Sequence, residues 1–184
     1  MKNPEFCTRY RVDRDFTIVS VADNWNEFAN ENEAPELADG SIIGRTLWDF
    51  IVDPTTRVIY RRLIEQAFEG RSIKFDIRCD SPATRRCAEV SIYPSDDGNV
   101  EFNVLTTSVE PREPQPLLRR GNSSPTGLIT ACSWCNRIKT ARYEWDEIEA
   151  AVGKLHFFEL EYMPSITHGI CPDCSFRVNA LCES

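Results

Sequence analysis

Residues 53–77 read DPTTRVIYRRLIEQAFEGRSIKFDI, and their hydrophobic period changes partway along. Asp53 suits an N-cap because its carboxylate can accept from the free N–H groups of a first helical turn. Pro54 suits the first helical position, where its missing N–H costs nothing. Ile59, Tyr60, Leu63, Ile64, Ala67 and Phe68 then fall on one face at helical spacing, and Gly70 offers the stop. After Gly70 the apolar residues alternate instead: Ile73, Phe75 and Ile77. Alternation is the mark of a strand with one buried face.

Working outward, the same alternation returns downstream in Ala88, Val90 and Ile92, and again in Val100, Phe102 and Val104. Asp97-Gly98 between these two runs predicts a hairpin, since Gly supplies the positive φ that tight hairpin turns need. Upstream, RYRVDRDFTIVSVADNW alternates around Asp13-Arg14-Asp15, which predicts two short strands or one strand with a turn. Residues 24–32 predict a short helix presenting Trp25 and Phe28. Strands, helices, then three antiparallel strands with one apolar face make an α+β domain over residues 1–110.

Residues 111–127, PREPQPLLRRGNSSPTG, are rich in Pro, Gly and small polar residues and read as a linker, with Leu117 and Leu118 free to dock on a neighbouring surface. Residues 128–184 then form a short second region. It carries two CxxC pairs: Cys132 and Cys135 in CSWC, and Cys171 and Cys174 in CPDC. A CxxC brings two sulfurs to one ion from a single tight turn, and two such turns fill a tetrahedral zinc shell. So small a region has little core, and structural zinc supplies roughly 10–16 kcal/mol of apparent folding energy in small peptides. Between the pairs, Trp145, Ile148, Val152 and Leu155 at helical spacing predict a helix folded over the site, and Pro172 marks the start of a last helix through Leu181. Trp134, inside the first knuckle, is expected to pack the clasp against the helix that carries Trp145.

His168 lies three residues before Cys171 and leaves two readings open. It is either an alternative metal ligand, or a support that hydrogen-bonds a sulfur or a backbone carbonyl. The four thiolates already close the shell, which favours the support. His156, in KLHFF, reads as a packed or surface histidine. A thioredoxin-like role for CxxC is disfavoured because neither pair follows a βαβ pattern. A closed shell, with no HExxH or HxE pattern, also argues against metal catalysis.

The chain of 184 residues has a net charge of −8 and a pI near 4.9, which disfavours nucleic acid and anionic membranes as partners. MKNPEFCTRY lacks an apolar leader core, and no apolar run approaches the ~20 residues that cross a bilayer. The expected compartment is the cytoplasm, where CxxC pairs mean metal or redox chemistry more often than disulfides. Cys79 and Cys87 flank DSPATRR, yet strand parity points them to opposite faces, so they are expected to stay unpaired. Arg61, Arg62, Arg85 and Arg86 read as solvated faces, with a second reading as marks of an acidic ligand or partner. Trp25, Trp48, Phe50, Phe68 and Phe75 read as core residues with a secondary possibility of lining a pocket. No dinucleotide, P-loop, nucleophile-elbow or kinase motif is present.

The order of elements, together with GRTLWDFI, RCDSP…RR…AEVSIYPSDDGNVEF and the CSWC…THGICPDC tail, resembles bacterial PAS-domain-like proteins that end in a pair of cysteine knuckles. The resemblance covers nearly the whole chain. It implies a PAS-like antiparallel sheet with helices on one face, and a non-enzymatic sensing or interaction module with no assigned ligand. Flavin-binding light sensors of that family carry a reactive cysteine in an NCRFLQ-like segment, which is absent here; residues 1–110 also lack a histidine for haem, which leaves only Cys or Met ligation open to one. The expectation is therefore a cytoplasmic signalling protein that binds a small molecule or a protein partner, dimerises as such domains often do, and is clasped by zinc at Cys132, Cys135, Cys171 and Cys174. The alternative is a thiol-redox switch in which oxidation of the CxxC pairs releases zinc.

Overall fold

A computed structural model describes residues 6–32, 34–119, 123–159 and 162–183. Strands β1 (Cys7–Val12) and β2 (Ile18–Val21) open the chain, followed by α1 (Trp25–Glu31) and two single-turn helical segments at Pro35–Leu37 and Leu47–Asp49. Helix α2 (Pro54–Phe68) leads into β3 (Ile73–Arg78), β4 (Thr84–Pro94) and β5 (Val100–Pro111). These strands form one antiparallel sheet in the order β2-β1-β5-β4-β3. The chain is thus α+β, as its periodicity predicts.

The local reasons are the expected ones. Asp53 Oδ2 accepts from both the Thr56 N–H and the Thr56 hydroxyl at 2.7 Å, and Pro54 starts α2. Gly70, past the C-terminus, sits at φ +98°, a left-handed conformation that most side chains resist. The helical stripe of Ile59, Leu63, Ile64 and Ala67 is buried against Phe75, Val90, Ile92 and Phe102 of the sheet. Gly98 at φ +81° turns the β4–β5 hairpin.

The second region contains β6 (Ser123–Cys132), β7 (Ile138–Lys139), β8 (Trp145–Asp146), α3 (Ile148–Lys154), β9 (Met163–Gly169) and α4 (Pro172–Glu183). Its sheet runs β8-β7-β6-β9, and β6 pairs with β9 in parallel. Two expectations change here. The helix between the knuckles begins at Ile148, because Trp145 and Asp146 instead pair with Lys139 and Ile138 as β8. The linker stretch is also more structured than its composition suggests. Strand β6 starts at Ser123 rather than after Gly127, while residues 120–122 lie outside the described ones. Leu117 is buried in a small core with Ile138, Ile148, Ala151, Val152 and Phe157.

The two regions share a core. Cys132, Trp134, Cys171, Cys174 and Val178 belong to the same buried cluster as Leu63, Ile64, Val90 and Phe102. An ion-pair network reinforces this seam. Asp80, with a side chain 0% exposed, pairs with Arg78 and, at 3.1 Å, with Arg112. Arg78 also reaches Glu147 of the second region, and Arg85 and Arg112 reach Glu149 at 3.1 and 3.3 Å. Arg85 and Arg86 therefore depart from the solvated faces expected of them, whereas Arg61 and Arg62 are exposed as expected. Arg85 bridges the seam, Arg86 donates to Asn32 Oδ1 at 2.7 Å, and Arg61 lies 4.6 Å from the Phe16 ring centre. No helix among the described residues is long and apolar enough to cross a membrane.

Candidate metal centre and the seam beside it

The β6–β7 turn presents Cys132 and Cys135, and the β9–α4 turn presents Cys171 and Cys174. Each turn is fixed by its backbone. Cys132 N–H donates to Arg137 O at 2.8 Å and Asn136 N–H to Cys132 O at 2.9 Å, with Asn136 at φ +56°. Asparagine tolerates that left-handed conformation better than most side chains. The two turns are joined because β6 and β9 run side by side, with Ala131 opposite His168 and Cys132 opposite Gly169. Ser133 N–H donates to Gly169 O at 2.9 Å. A side chain at Gly169 would meet Thr130 Cγ2 at 3.1 Å, so a small residue keeps the strands close.

Parallel pairing therefore converges all four sulfurs, which lie within 4.8 Å of one another and can hold a metal ion. Cys132, Cys171 and Cys174 are buried, and Cys135 is half-buried with its sulfur 3.7 Å from that of Cys171. Backbone N–H groups support the sulfurs: Cys171 N–H points to Cys132 Sγ and Cys174 N–H to Cys171 Sγ, both at 3.4 Å. Hydrogen bonds from Cys135, then Cys174, hold the Cys132 thiol well below its usual range despite burial. The same shared bonds to Cys132 raise the thiols of Cys135 and Cys174, so the cluster by itself favours one thiolate, at Cys132, the form that binds metal. Arg177 Nη2 donates to Cys174 Sγ at 3.1 Å, and this bond raises the guanidinium's own affinity for its proton. Arg137 stands nearby, held by Glu147 and Asp173.

His168 does not join the cluster. It is exposed on β9 and lines a cleft with Asp53, Thr56, Ser133 and Asn136. His156 is a surface residue facing Glu159 at 3.2 Å. Cys87 faces Arg78 rather than Cys79 in the β3–β4 register, and Cys79 Sγ points toward Asn32 Oδ1 at 3.9 Å. The side chain of Cys182 lies outside the described residues.

Trp134 corrects the expected packing. Its ring centre lies 5.3 Å from that of Tyr60 and 6.1 Å from that of Phe75, so the knuckle docks on α2 and β3 of the first region. Ser133, its neighbour, shares a 3.1 Å hydroxyl hydrogen bond with Thr56 on α2, and Arg78 N–H donates to Trp134 O at 2.7 Å. Both middle residues of CSWC thus grip the first region.

Inside the first region, Tyr10, Trp25, Leu47, Phe50, Ile51 and Tyr60 line an apolar cavity of about 260 Å³. Trp25 and Phe50 are therefore wall residues as well as core. Burial raises the phenol pKa of both tyrosines, that of Tyr60 to about 12. They remain neutral hydroxyls beside an apolar space. Residue spacing identifies Tyr60 only as a member of the apolar stripe. Its polar tip on an otherwise apolar face is the one signal of a wall residue. No protein-family model matches the chain, and no curated protein matches it.

Proposed function

We propose that the chain is a non-enzymatic cytoplasmic sensor of PAS-like kind, whose cavity takes the apolar body of a small molecule and whose four cysteines hold a structural zinc ion. The observation that carries this reading is the contact between Tyr60 and Trp134. Tyr60 walls the cavity, and Trp134 sits between two of the metal-binding cysteines. A molecule that displaces Tyr60 changes the seat of the knuckle, and the second region carries that change to a protein partner or a second copy of the chain.

Several features support the parts. The succession of two strands, short helices, one longer helix and three antiparallel strands is the order expected of the PAS resemblance. Four thiolates at about 2.3 Å from a tetrahedral zinc stand about 3.8 Å apart, close to the 3.7 Å between Cys135 and Cys171. Such a centre carries a formal charge of about −2, which Arg137 and Arg177 offset. Zinc there would supply folding energy, with every position of a four-coordinate shell taken by protein.

Metal analysis and native mass spectrometry of protein purified without added metal test both halves. One zinc per chain that withstands mild peroxide, with a co-purified small molecule lost on denaturation, supports the proposal. Zinc released by peroxide, with disulfides that reductant reverses, favours the thiol-redox switch. A metal-free chain with reduced thiols overturns the zinc centre.

A further inference from the structure

A second cavity of about 220 Å³ lies against the first, and Phe50, Ile51 and Tyr60 line both. The two differ in chemistry. The first, called inner because no residue of the cysteine region lines it, is walled by aromatic and aliphatic side chains. The outer one adds Asp53, Thr56, Ser133, Asn136 and His168. Its polar residues come from three places: the start of α2, the turn that carries Cys132 and Cys135, and the end of β9. Ser133 lies between Cys132 and Cys135, Asn136 follows Cys135, and His168 precedes Cys171 by three residues.

From this juxtaposition we infer that the outer cleft is a head-group site for an amphipathic ligand. The apolar body lies in the inner cavity, and a hydrogen-bond-donating head, an amine or a hydroxyl, reaches the seam. The inference rests on the reading that the inner cavity binds a small molecule, and adds the ligand's polarity and the residues that read it. The acceptors decide the class. Asp53 Oδ2 already takes the N–H and hydroxyl of Thr56, no cation pairs with the Asp53 carboxylate among the described residues, and the chain as a whole carries −8. A carboxylate head would meet Asp53 with like charge, whereas an amine or hydroxyl gives it a donor. Such a head touches Ser133 inside the first knuckle and His168 on the strand leading to the second, so occupancy is read at the cysteine region directly as well as through Tyr60.

The test uses full-length, metal-loaded protein and four probes: benzene for the apolar body alone, and hexylamine, hexanol and hexanoate for the head. Calorimetric titration is expected to rank hexylamine and hexanol above hexanoate by about tenfold or more. His168→Ala, an exposed position, is expected to weaken hexylamine and hexanol by about three- to tenfold while leaving benzene unchanged. Asp53→Asn keeps a capping side chain and is expected to remove most of the preference for hexylamine over hexanoate. If benzene binds but the heads are not distinguished, or neither substitution changes their ranking, the head-group site is overturned and the inner cavity stands. If none of the four probes binds, the cavity reading fails and the head-group site falls with it.

Discussion

Trp134 illustrates how one residue can be found in a sequence and still be misplaced. Its position inside CSWC marks it for a structural role, but not the surface it meets. Its partners Tyr60 and Phe75 lie on another region of the chain, more than fifty residues away. Trp134 is 3% exposed, and its Nε1 has no hydrogen-bond partner among the described residues. The indole therefore works as an apolar body. Trp134→Ala is expected to cost about 3–5 kcal/mol by chemical denaturation, the range for deleting a large buried aromatic. Trp134→Phe, which loses volume but no hydrogen bond, should cost about 1–2 kcal/mol. Equal losses for the two would mean that the indole nitrogen matters. Asp80 poses the opposite case, a buried carboxylate between Arg78 and Arg112. Asp80→Ala leaves both guanidiniums short of a partner and is expected to destabilise by about 3–5 kcal/mol. Tyr60 adds a pH dependence. Burial, then repulsion from Cys79, raises its phenol from 10.0 to about 12. The folded state thus holds this proton more tightly than the unfolded chain. Its contribution is complete below pH 10 and is lost as pH rises towards about 12. Denaturant midpoints across that window should fall less steeply for Tyr60→Phe than for the natural protein.

Elements divide by how local their causes are. Helix α2 was legible because its cap, first-turn proline, apolar stripe and terminal glycine are all neighbours in sequence. The β4–β5 hairpin was legible for the same reason, with Ala88, Val90 and Ile92 buried on the face that alternation assigns. The start of α3 was not. Trp145 continues its helical spacing, yet the two-residue pairing with β7 claims Trp145 and Asp146, and Asp146 further accepts from Thr140 and Lys154. Nor does any local pattern announce that β6 and β9 run in parallel, since that pairing is set by what lies between them. The cysteine spacing picked out the four sulfurs that converge without that topology, whereas the cleft at His168 exists only because of it. The cap of α2 can be tested at this scale. Asp53→Ala removes the acceptor for Thr56 N–H and Thr56 Oγ1, and is expected to cost about 1 kcal/mol in denaturation, within the usual range for a lost N-cap. A loss near zero would show that water satisfies the first turn equally well.

At the scale of the molecule, the placement of the cysteines decides how metal and fold are coupled. Were the second region an independent bead on a linker, metal would stabilise that bead alone. The seam argues otherwise. Cys132, Trp134, Cys171 and Cys174 lie in one buried cluster with the helix and sheet of the first region. Glu147 and Glu149 pair with Arg78, Arg85 and Arg112 across the same boundary. Unfolding the knuckles would uncover Tyr60 and Phe75 and leave Arg78 and Arg112 facing a buried Asp80 without their outer carboxylates. Both effects lower the stability of the first region, so the chain should behave as one cooperative unit. A metal that binds only the folded form adds stability in proportion to the logarithm of its free concentration over its dissociation constant, about 4.1 kcal/mol at a thousandfold excess. Chelation of metal-loaded protein under reducing conditions is therefore expected to lower a single thermal transition, with tryptophan fluorescence shifting to longer wavelength as Trp134 leaves its seat. Circular dichroism and fluorescence should report the same midpoint. Two separate transitions, with the upper one unmoved by chelator, would show that the shared core does not couple the regions, and that the cysteines fold only their own loops.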